Sequence, residues 1–429
     1  MSLFILLLTL TVYIIRPGEW VSSSDVRWNL ALNVIGAIVV ALVALTGNAR
    51  DSADRTWLYV WGFFAWMIVS SVLNFQFDTI NGYFTGMLTN LLVFMLVSLS
   101  IRTERQARII VGFFTVLVVF VAWQCYVQVT QGTNIVGDTA VARFIGYDEV
   151  TGRRLESPQA RWLGVFYDPN DTGMLLLSLA PLAFAWSFFN GKRMLVRCVW
   201  AAVFAAETYA IFLTNSRGTM LALLASIIVL FVVRYRSAIG LFLASACGFL
   251  IITLGPSRLS SLSSADDSSM ERVYAWILAL ELFAIDPVLG VGPMHFMDHH
   301  HMTTHNSFVL AVVENGFPGY VLYMAIFFTA LFVSARVAYL TEDHHTRITA
   351  SALTACTVGM MACAFFISRT YVLLPFFLMA LVLGYTRALT LADYKSSLSA
   401  LRVWWIGVAA AASVVFVWLT NRLTTMLLL

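Results

Sequence analysis

Long apolar runs recur along the whole sequence and constrain its fold more than any other feature. An α-helix needs about 20 apolar residues to cross the hydrocarbon core of a bilayer. Thirteen runs approach or reach that length: 1–15, 28–46, 57–73, 84–100, 109–128, 172–189, 198–213, 219–233, 239–254, 306–334, 348–367, 371–386 and 403–420. The first is short and is also compatible with a re-entrant segment. The pattern predicts an all-α polytopic integral membrane protein with about 12–13 transmembrane helices.

The composition agrees with a membrane protein and excludes other classes. The chain is 60% hydrophobic and 11% charged, with a mean hydropathy of +0.83, unlike a soluble globular domain. A net charge of +3 is too small to indicate nucleic-acid binding. The five cysteines all lie in apolar runs, so we interpret them as small core residues rather than disulfides or metal ligands. Because no small-residue cleavage site follows the first run, we expect that run to remain as a helix.

The distribution of Lys and Arg predicts the orientation of the chain. Loops after even-numbered runs hold 15 of the 26 Lys and Arg residues, whereas short loops on the other side hold five. We therefore expect the even-numbered loops and the amino terminus in the cytoplasm. Segments 129–171, 214–218 and 255–305 then share the outer face, which is periplasmic in a Gram-negative cell. One integral membrane domain is expected, with N-terminal helices in 1–254, a large periplasmic loop in 255–305 and C-terminal helices in 306–429.

The break at residues 214–219, Thr-Asn-Ser-Arg-Gly-Thr, separates two apolar runs with almost no loop. An arginine at membrane depth is costly unless it is paired or faces water. The donors of Arg217 suit a phosphate or a carboxylate. Asn215, Ser216 and Gly218 favour a shaped pocket around it, and an arginine that extends to lipid headgroups is the alternative.

A capping box from Ser268 to Glu271 predicts a helix that ends near Ile285, before Asp286-Pro287. Its apolar stripe is formed by Met270, Val273, Tyr274, Ile277, Leu280 and Ala284. We expect this amphipathic helix to lie along the membrane surface or to cover a cavity. Arg272 lies off the stripe, either as part of a site or as an exposed charge. The following turn, 289–292, contains two glycines and is expected to be flexible.

His305 immediately precedes Asn306 and Ser307, either of which can cap the next transmembrane helix. The positive end of a helix dipole favours neutral imidazole, which can accept a proton from an alcohol. A polar residue at the membrane interface is the alternative for His305. Within that helix, Gly316 and Pro318 predict a kink.

Other histidines cluster shortly before this helix. His295, Asp298, His299, His300 and His301 suggest a metal site at first sight. However, the segment has weak helical character and lacks an acidic partner at metal-protease spacing. We expect a solvated loop and no bound metal.

The segment 164–171, Gly-Val-Phe-Tyr-Asp-Pro-Asn-Asp, opens the sixth run. Asp168 and Asn170 are typical turn residues, and Asp171 is a good helix cap. A structural entry turn is one interpretation. Contact with sugar hydroxyls is the other, and nearby Arg161 supports it.

These motifs resemble the O-antigen ligase superfamily, which includes O-antigen and exopolysaccharide polymerases and O-oligosaccharyl ligases. The ligase pattern is a His, then Asn, Ser or Gln, nine residues, a Gly, two residues, and Gly, Thr or Tyr. The chain matches it at His305, Asn306, Gly316 and Gly319. Residues 215–218 resemble the Ser-Arg-Gly element of the family, and 270–292 resemble its large outer loop. The 168–171 turn is similar to that of ligase-like proteins found with exosortase systems, and the resemblance spans 164–320.

The resemblance implies a metal-independent, cofactor-free inverting transferase in the bacterial inner membrane, with its active site facing the periplasm. Its donor would be a glycan on undecaprenyl diphosphate, and its acceptor a hydroxyl of lipid A-core or another surface acceptor. Arg217 and Arg272 would stabilise the diphosphate, and His305 would accept the hydroxyl proton. The residues expected to contact substrate are Asn215, Ser216, Asn306, Arg161, Asp168 and Asn170.

Two alternatives to a ligase stay open. A polymerase would join lipid-linked repeat units, but its pattern of Arg, ten residues, Gly places Ile228 and Phe283 where glycines are required. A polysaccharide transporter would be expected to contain repeated halves with broken helices, and no such repeat is present. The sequence therefore favours a ligase, and it assigns no role to the run 299–301 and no oligomeric state.

Overall fold

The computed structural model describes residues 2–16, 28–45, 55–133, 142–147, 154–162, 168–189, 191, 194–236 and 267–428. The predicted span 239–254, the first part of the outer loop, 255–266, and residues 164–167 of the entry turn lie outside them.

The described residues are predominantly helical, which confirms the all-α class. The helices are α1 Ser2–Ile15, α2 Trp28–Leu45, α3 Arg55–Leu73, α4 Phe77–Ser100, α5 Glu104–Gln131, α6 Pro169–Leu177, α7 Ala180–Phe188, α8 Met194–Thr214, α9 Arg217–Tyr235, α10 Asp267–Ile285, α11 Ser307–Leu340, α12 His344–Phe366, α13 Leu373–Leu389, α14 Leu391–Ala400 and α15 Val403–Leu428. A short 3₁₀ helix, Phe296–Asp298, follows α10. The structure adds an antiparallel ribbon of β1 Ala142–Tyr147 and β2 Arg154–Gln159, which hydropathy did not predict.

Eight spans in the described part of the chain are long and apolar enough to cross a membrane: α3, α4, α5, α6 with α7, α8, α9, α11 and α12. The pair α14 and α15, bent by 65°, makes a ninth if it counts as one span. Shorter apolar helices occur at α1, within α2 and at α13. Each of these coincides with a predicted run, so the chain is a polytopic membrane protein.

Helix α11 lies at the centre of the bundle and packs against α3, α9, α10, α12, α13, α14 and α15. Buried aromatic side chains fill its contact with α3. The ring of Tyr323 lies 5.4 Å from that of Phe63 and 5.1 Å from that of Phe327. Such rings bury large apolar areas and lock neighbouring spans together.

Helix α11 breaks at Gly316, which confirms the predicted kink. Gly316 has φ 61° and ψ −177°, a conformation found essentially only in glycine. A Cβ at this position would lie 2.0 Å from the carbonyl oxygen of Val288. The break therefore provides the space in which the segment after α10 packs.

The segment 287–292 supplies hydrogen-bond partners for the broken helix. The N–H groups of Val291 and Gly292 donate to the carbonyls of Val313 and Glu314 at 2.9 and 3.1 Å, and the Phe317 N–H donates to the Pro287 carbonyl at 2.8 Å. Backbone groups inside a membrane protein must be paired because lipid offers no partners. The break and the segment that fills it are thus one structural unit.

The expectation that residues 289–292 form a flexible turn is wrong. Side chains from the end of α3 and the connection to α4 bind the backbone carbonyls of residues 289–291. Ser70 Oγ donates to the Leu289 carbonyl at 2.9 Å, Asn74 Nδ2 to the Gly290 carbonyl at 3.2 Å, and Gln76 Nε2 to the Val291 carbonyl at 2.8 Å. Gly290 and Gly292 adopt positive φ angles of 71° and 95°. The glycines therefore allow a tight backbone path, which the surrounding hydrogen bonds fix.

At the ends of the spans away from the break in α11, arginine side chains donate hydrogen bonds to backbone carbonyls at the carboxyl ends of helices. Arg387 donates to Ser98 and Ile101 at 2.7 and 3.0 Å, Arg55 donates to Leu401 at 2.7 Å, and Arg236 donates to Ala338 and Tyr339. The carboxyl end of a helix dipole attracts cations. Arginines that the sequence assigns to the even-numbered loops thus also complete the helix ends there.

Replacing Gly316 with alanine should destabilise the protein by at least about 1–3 kcal/mol, because a side chain at this φ/ψ is strained and also meets the Val288 carbonyl. Thermal unfolding of the detergent-purified protein measures the effect. Gly112→Ala in α5 is the control, since a Cβ there contacts nothing within 4 Å. Equal unfolding temperatures for the two variants would contradict this account of the break.

Candidate active site

Two predicted substrate-binding residues, Asn170 and Ser216, contact each other directly. Ser216 Oγ donates to Asn170 Oδ1 at 2.6 Å, and Asn170 donates through its N–H and Nδ2 to Asp168 Oδ1 at 2.7 and 2.8 Å. Asp168 caps α6, and Ser216 caps α9 by accepting from the Thr219 N–H. This network joins the starts of two helices and so positions Arg217, the first residue of α9.

The break between α8 and α9 packs closely against two neighbouring helices. Asn215 turns the chain with φ 55°, in the left-handed region that asparagine tolerates. Gly173 of α6 faces Thr219, whose Oγ1 would lie 2.4 Å from an added Cβ, and Gly218 faces Phe366 of α12 at 2.7 Å. The glycine after Arg217 therefore serves close helix packing.

Helix α10 ends at Ile285 as predicted, but the face it buries was predicted incorrectly. Ala275 and Ala279 are fully buried against α11, whereas Tyr274 is 60% exposed. Trp276 Nε1 donates to the Thr304 carbonyl at 2.6 Å. The small side chains of Ala275 and Ala279 allow α10 to approach α11 closely. Tyr274, which was predicted to be part of the buried stripe, therefore lies on the exposed face of α10.

Arg272 lies on α10 in the electrostatic field of residues from two other segments. Its burial, together with the positive charge of Arg217, lowers the pKa of Arg272, and the negative charge of Asp168 opposes that change. Residues separated by about 100 positions in the sequence therefore converge, as expected if their segments share one face of the membrane.

His305 has a left-handed backbone, with φ 49°, and its side chain is half-buried. Burial and the positive charge of Arg272 lower the pKa of His305 below its ordinary value of 6.5, with Asp168 acting in the opposite direction. The imidazole is therefore neutral at pH 7. The sequence predicted this state from the helix dipole, whereas the structure attributes it to burial and to a neighbouring arginine.

Asn306 caps α11, as predicted. Its Oδ1 accepts from the N–H groups of Phe308 and Val309 at 2.9 and 3.2 Å. Its Nδ2 is buried and has no hydrogen-bond partner among the described residues. The structure therefore gives Asn306 a capping role, and its contact with substrate stays a prediction.

Arg369, which the sequence motifs did not single out, lies in the short loop 367–371 between α12 and α13. Its Nε and Nη2 donate to the two carboxylate oxygens of Asp171 at 2.5 and 2.6 Å. Its charge also acts on His305, and it lies in the field of Asp168. The signal that singled out Arg217, an arginine in a very short break between two spans, was present here too.

Arg161 is half-buried where the β-ribbon leads back to α6. Its N–H donates to Gln128 Oε1 at 2.9 Å. The adjacent Trp162 is fully buried and donates through Nε1 to the Ile14 carbonyl at 2.6 Å and through its N–H to Thr172 at 2.8 Å. The described contacts of this segment thus connect the outer ribbon to α1, α5 and α6.

The histidine-rich segment makes contacts of its own. His295 Nδ1 lies 2.6 Å from Asp298 Oδ2, and its Nε2 lies 3.3 Å from Thr79 Oγ1 on α4. The ring centroids of His300 and His301 lie 4.4 Å apart, with an angle of 32° between the ring planes. These contacts hold His295 and Asp298 against α4 as a hydrogen-bonded pair.

Glu314, an acidic residue inside the span α11, is fully hydrogen-bonded. Tyr371 donates to its Oε2 at 2.6 Å, and the N–H of Phe296 donates to its Oε1 at 3.2 Å. Asn315 Nδ2 in turn donates to the Tyr371 hydroxyl at 2.8 Å. Glu314 therefore holds the outer segment against the break in α11.

The comparisons with known proteins agree with the motifs at this site. No curated protein matches the chain. A family model described as O-antigen ligase matches residues 200–324, which include the α8–α9 break, α10 and the start of α11. The matched segment holds Arg217, Arg272 and His305 together, whereas Asp168 and Arg369 lie outside it. Over this segment, which is less than a third of its length, the chain is similar to the O-antigen ligase family.

Proposed function

We propose that the protein transfers a glycan from an undecaprenyl-diphosphate carrier to an acceptor hydroxyl, lipid A-core or another surface acceptor, at the periplasmic face of the inner membrane. One observation supports this most directly. Arg217, Arg272 and His305 come from three separate segments, and Arg272 lies within electrostatic range of both Arg217 and His305. They pair two fixed cations with a neutral base, which this reaction requires.

The two arginines suit the diphosphate of the donor. When the bond between the anomeric carbon and the phosphate oxygen breaks, its electron pair moves to the diphosphate, whose negative charge grows. Fixed cations in a partly desolvated site stabilise such charge strongly, and each guanidinium can bind two phosphate oxygens. Arg217 and Arg272 repel each other across the site, so an anion between them relieves an unfavourable interaction.

His305 suits the role of general base. The acceptor oxygen attacks the anomeric carbon as its hydroxyl proton passes to the neutral imidazole, and the diphosphate leaves from the opposite side. This single displacement inverts the configuration at the anomeric carbon. The proposed step uses the protein's own cations and base, and it needs no metal ion.

The location of the site supports a lipid-linked substrate. His305 and Arg217 lie at the starts of the spans α11 and α9, so a diphosphate bound there would leave its polyprenyl tail among the helices. The arginines at the opposite helix ends agree with the positive-inside pattern. Together these features favour a periplasmic site.

Deleting the gene should separate the two candidate reactions. Because the polymerase pattern fails at Ile228 and Phe283, we expect full-length polymer to accumulate on the lipid carrier while the acceptor stays unmodified. Gel analysis of surface glycan and of extracted carrier lipid measures this. Accumulation of single repeat units would instead identify a polymerase.

Arg217→Ala, Arg272→Ala and His305→Ala should each lower transfer by at least about 100-fold, since removal of one group that stabilises transition-state charge or moves a proton typically costs this much. Complementation of the deletion strain, with membrane levels of each variant measured in parallel, provides the test. Arg105→Ala and His301→Ala, at exposed positions, are the matched controls and should restore transfer fully. Normal transfer by any of the three site variants would remove that residue from the mechanism.

The pH dependence of transfer should reflect His305. Only the neutral imidazole accepts a proton, so activity should fall on the acidic side, with an apparent pKa below 6.5 because burial and Arg272 lower the pKa of His305. Glu271 opposes that change, so Glu271→Gln should move the acidic limb of the profile to still lower pH. Initial rates of transfer between about pH 4.5 and 8, which bracket the ordinary histidine pKa, measure both. A limb above 6.5 would argue against His305 as the base.

A further inference from the structure

The loop 367–371 is tied to α6 by a shielded ion pair. Arg369 binds both carboxylate oxygens of Asp171. The side chain of Asp171 is 2% exposed and that of Arg369 is 32% exposed. Removing Arg369 would leave the buried carboxylate of Asp171 without its partner, so the pair constrains the position of the loop.

The same loop holds the residues on both sides of His305. Ser368 Oγ accepts from the Asn306 N–H at 3.2 Å and lies 3.1 Å from Thr304 Oγ1. Ser307 Oγ accepts from the Arg369 N–H at 2.8 Å and donates to the Ile367 carbonyl at 2.6 Å. Thr370 Oγ1 donates to the Ser307 carbonyl at 2.9 Å. His305 itself has a left-handed backbone. A non-glycine residue keeps such a conformation only where its surroundings enforce it.

The other end of the ion pair leads to Arg217. Asp171 lies in the first turn of α6, next to Asn170, and Asn170 is hydrogen-bonded to Ser216 at the start of α9. The ion pair, these hydrogen bonds and the adjacent backbone positions together connect the proposed base to the proposed phosphate-binding arginine.

We infer that Arg369 is a positioning residue for glycan transfer, which with Asp171 sets the distance between His305 and Arg217. This inference rests on the proposed function. A general base misplaced by about 1 Å can lose about 100-fold in rate, so a rigid connection between the two groups matters directly to turnover. Arg369 need not contact the substrate to have this effect.

The charge of Arg369 adds a second contribution. Among the residues that the structure describes, the charged groups that act on His305 include Arg272 and Glu271 of α10, Asp168 before α6, and Arg369. Both arginines disfavour protonation of the imidazole, and both acids favour it. A neutral side chain at position 369 could maintain some packing, but it would not help to keep His305 in its neutral form.

The test compares Arg369→Gln, Arg369→Lys and Asp171→Asn in the purified full-length protein. Detergent-solubilised membranes of the deletion strain serve as the probe, because they contain unused lipid-linked glycan and unmodified acceptor. Arg369→Gln should lower the maximal rate by about 10- to 100-fold, with little change in the amount of extract needed for half-saturation. It should also move the acidic limb of the pH profile upward. Arg105→Gln, at an exposed position, is the control and should behave like wild type.

The other two variants separate geometry from charge. Arg369→Lys keeps the charge but loses the bidentate fork, so its rate should fall between those of wild type and Arg369→Gln, with an unchanged acidic limb. Asp171→Asn should lower the rate without raising the limb. If Arg369→Gln does not fold, a wild-type rate in Asp171→Asn would overturn the inference.

The outcomes also distinguish this inference from the proposed function. An active wild-type protein whose Arg369→Gln variant has a normal rate, or a defect confined to half-saturation, overturns the role of Arg369 alone. So does an acidic limb that does not move in Arg369→Gln. A wild-type protein that transfers no glycan from the extract overturns the proposed function and this inference with it.

Discussion

The break in α11 is the constraint on which the site depends. A membrane-spanning helix can be interrupted only if other parts of the protein pair the freed backbone groups. Here the segment 287–292 does so, and Gly316 provides the space for it. Because that segment directly follows α10, fixing it also fixes the end of the helix that carries Arg272. The break thus connects the outer loop to the helix that His305 precedes.

Charge at the membrane boundary is balanced in two different ways. Arg369 forms a bidentate ion pair with Asp171, and its charge also acts on His305. Arg217 and Arg272 instead lie close enough to each other to repel. A protein gains no stability from like charges in a half-buried position. Under the proposed function, an anion bound between Arg217 and Arg272 would offset this repulsion.

Much of the fold could be predicted because a helix that crosses a bilayer needs a long run of apolar residues, which is visible in the sequence. Apolar length predicted the described spans. The pattern between Ser268 and Pro287 predicted α10, which runs from Asp267 to Ile285 and so begins before the expected cap. The face that α10 buries could not be predicted, because it depends on the closeness of α11, which favours Ala275 and Ala279 over larger side chains. The same limit applied to residues 289–292, whose glycines suggested flexibility although Ser70, Asn74 and Gln76 hold them.

The sequence by itself determined the class of protein. It also predicted that the separated polar segments share one face and that Arg217, Arg272 and His305 are site residues. Those conclusions need only hydropathy, charge distribution and the spacing of a motif. Only the tertiary structure decided which of these groups act on one another, that burial and Arg272 hold His305 neutral, and that Arg369 belongs with them. The physical reason is that burial and electrostatic fields depend on distances in space, and loops far apart in the chain set those distances.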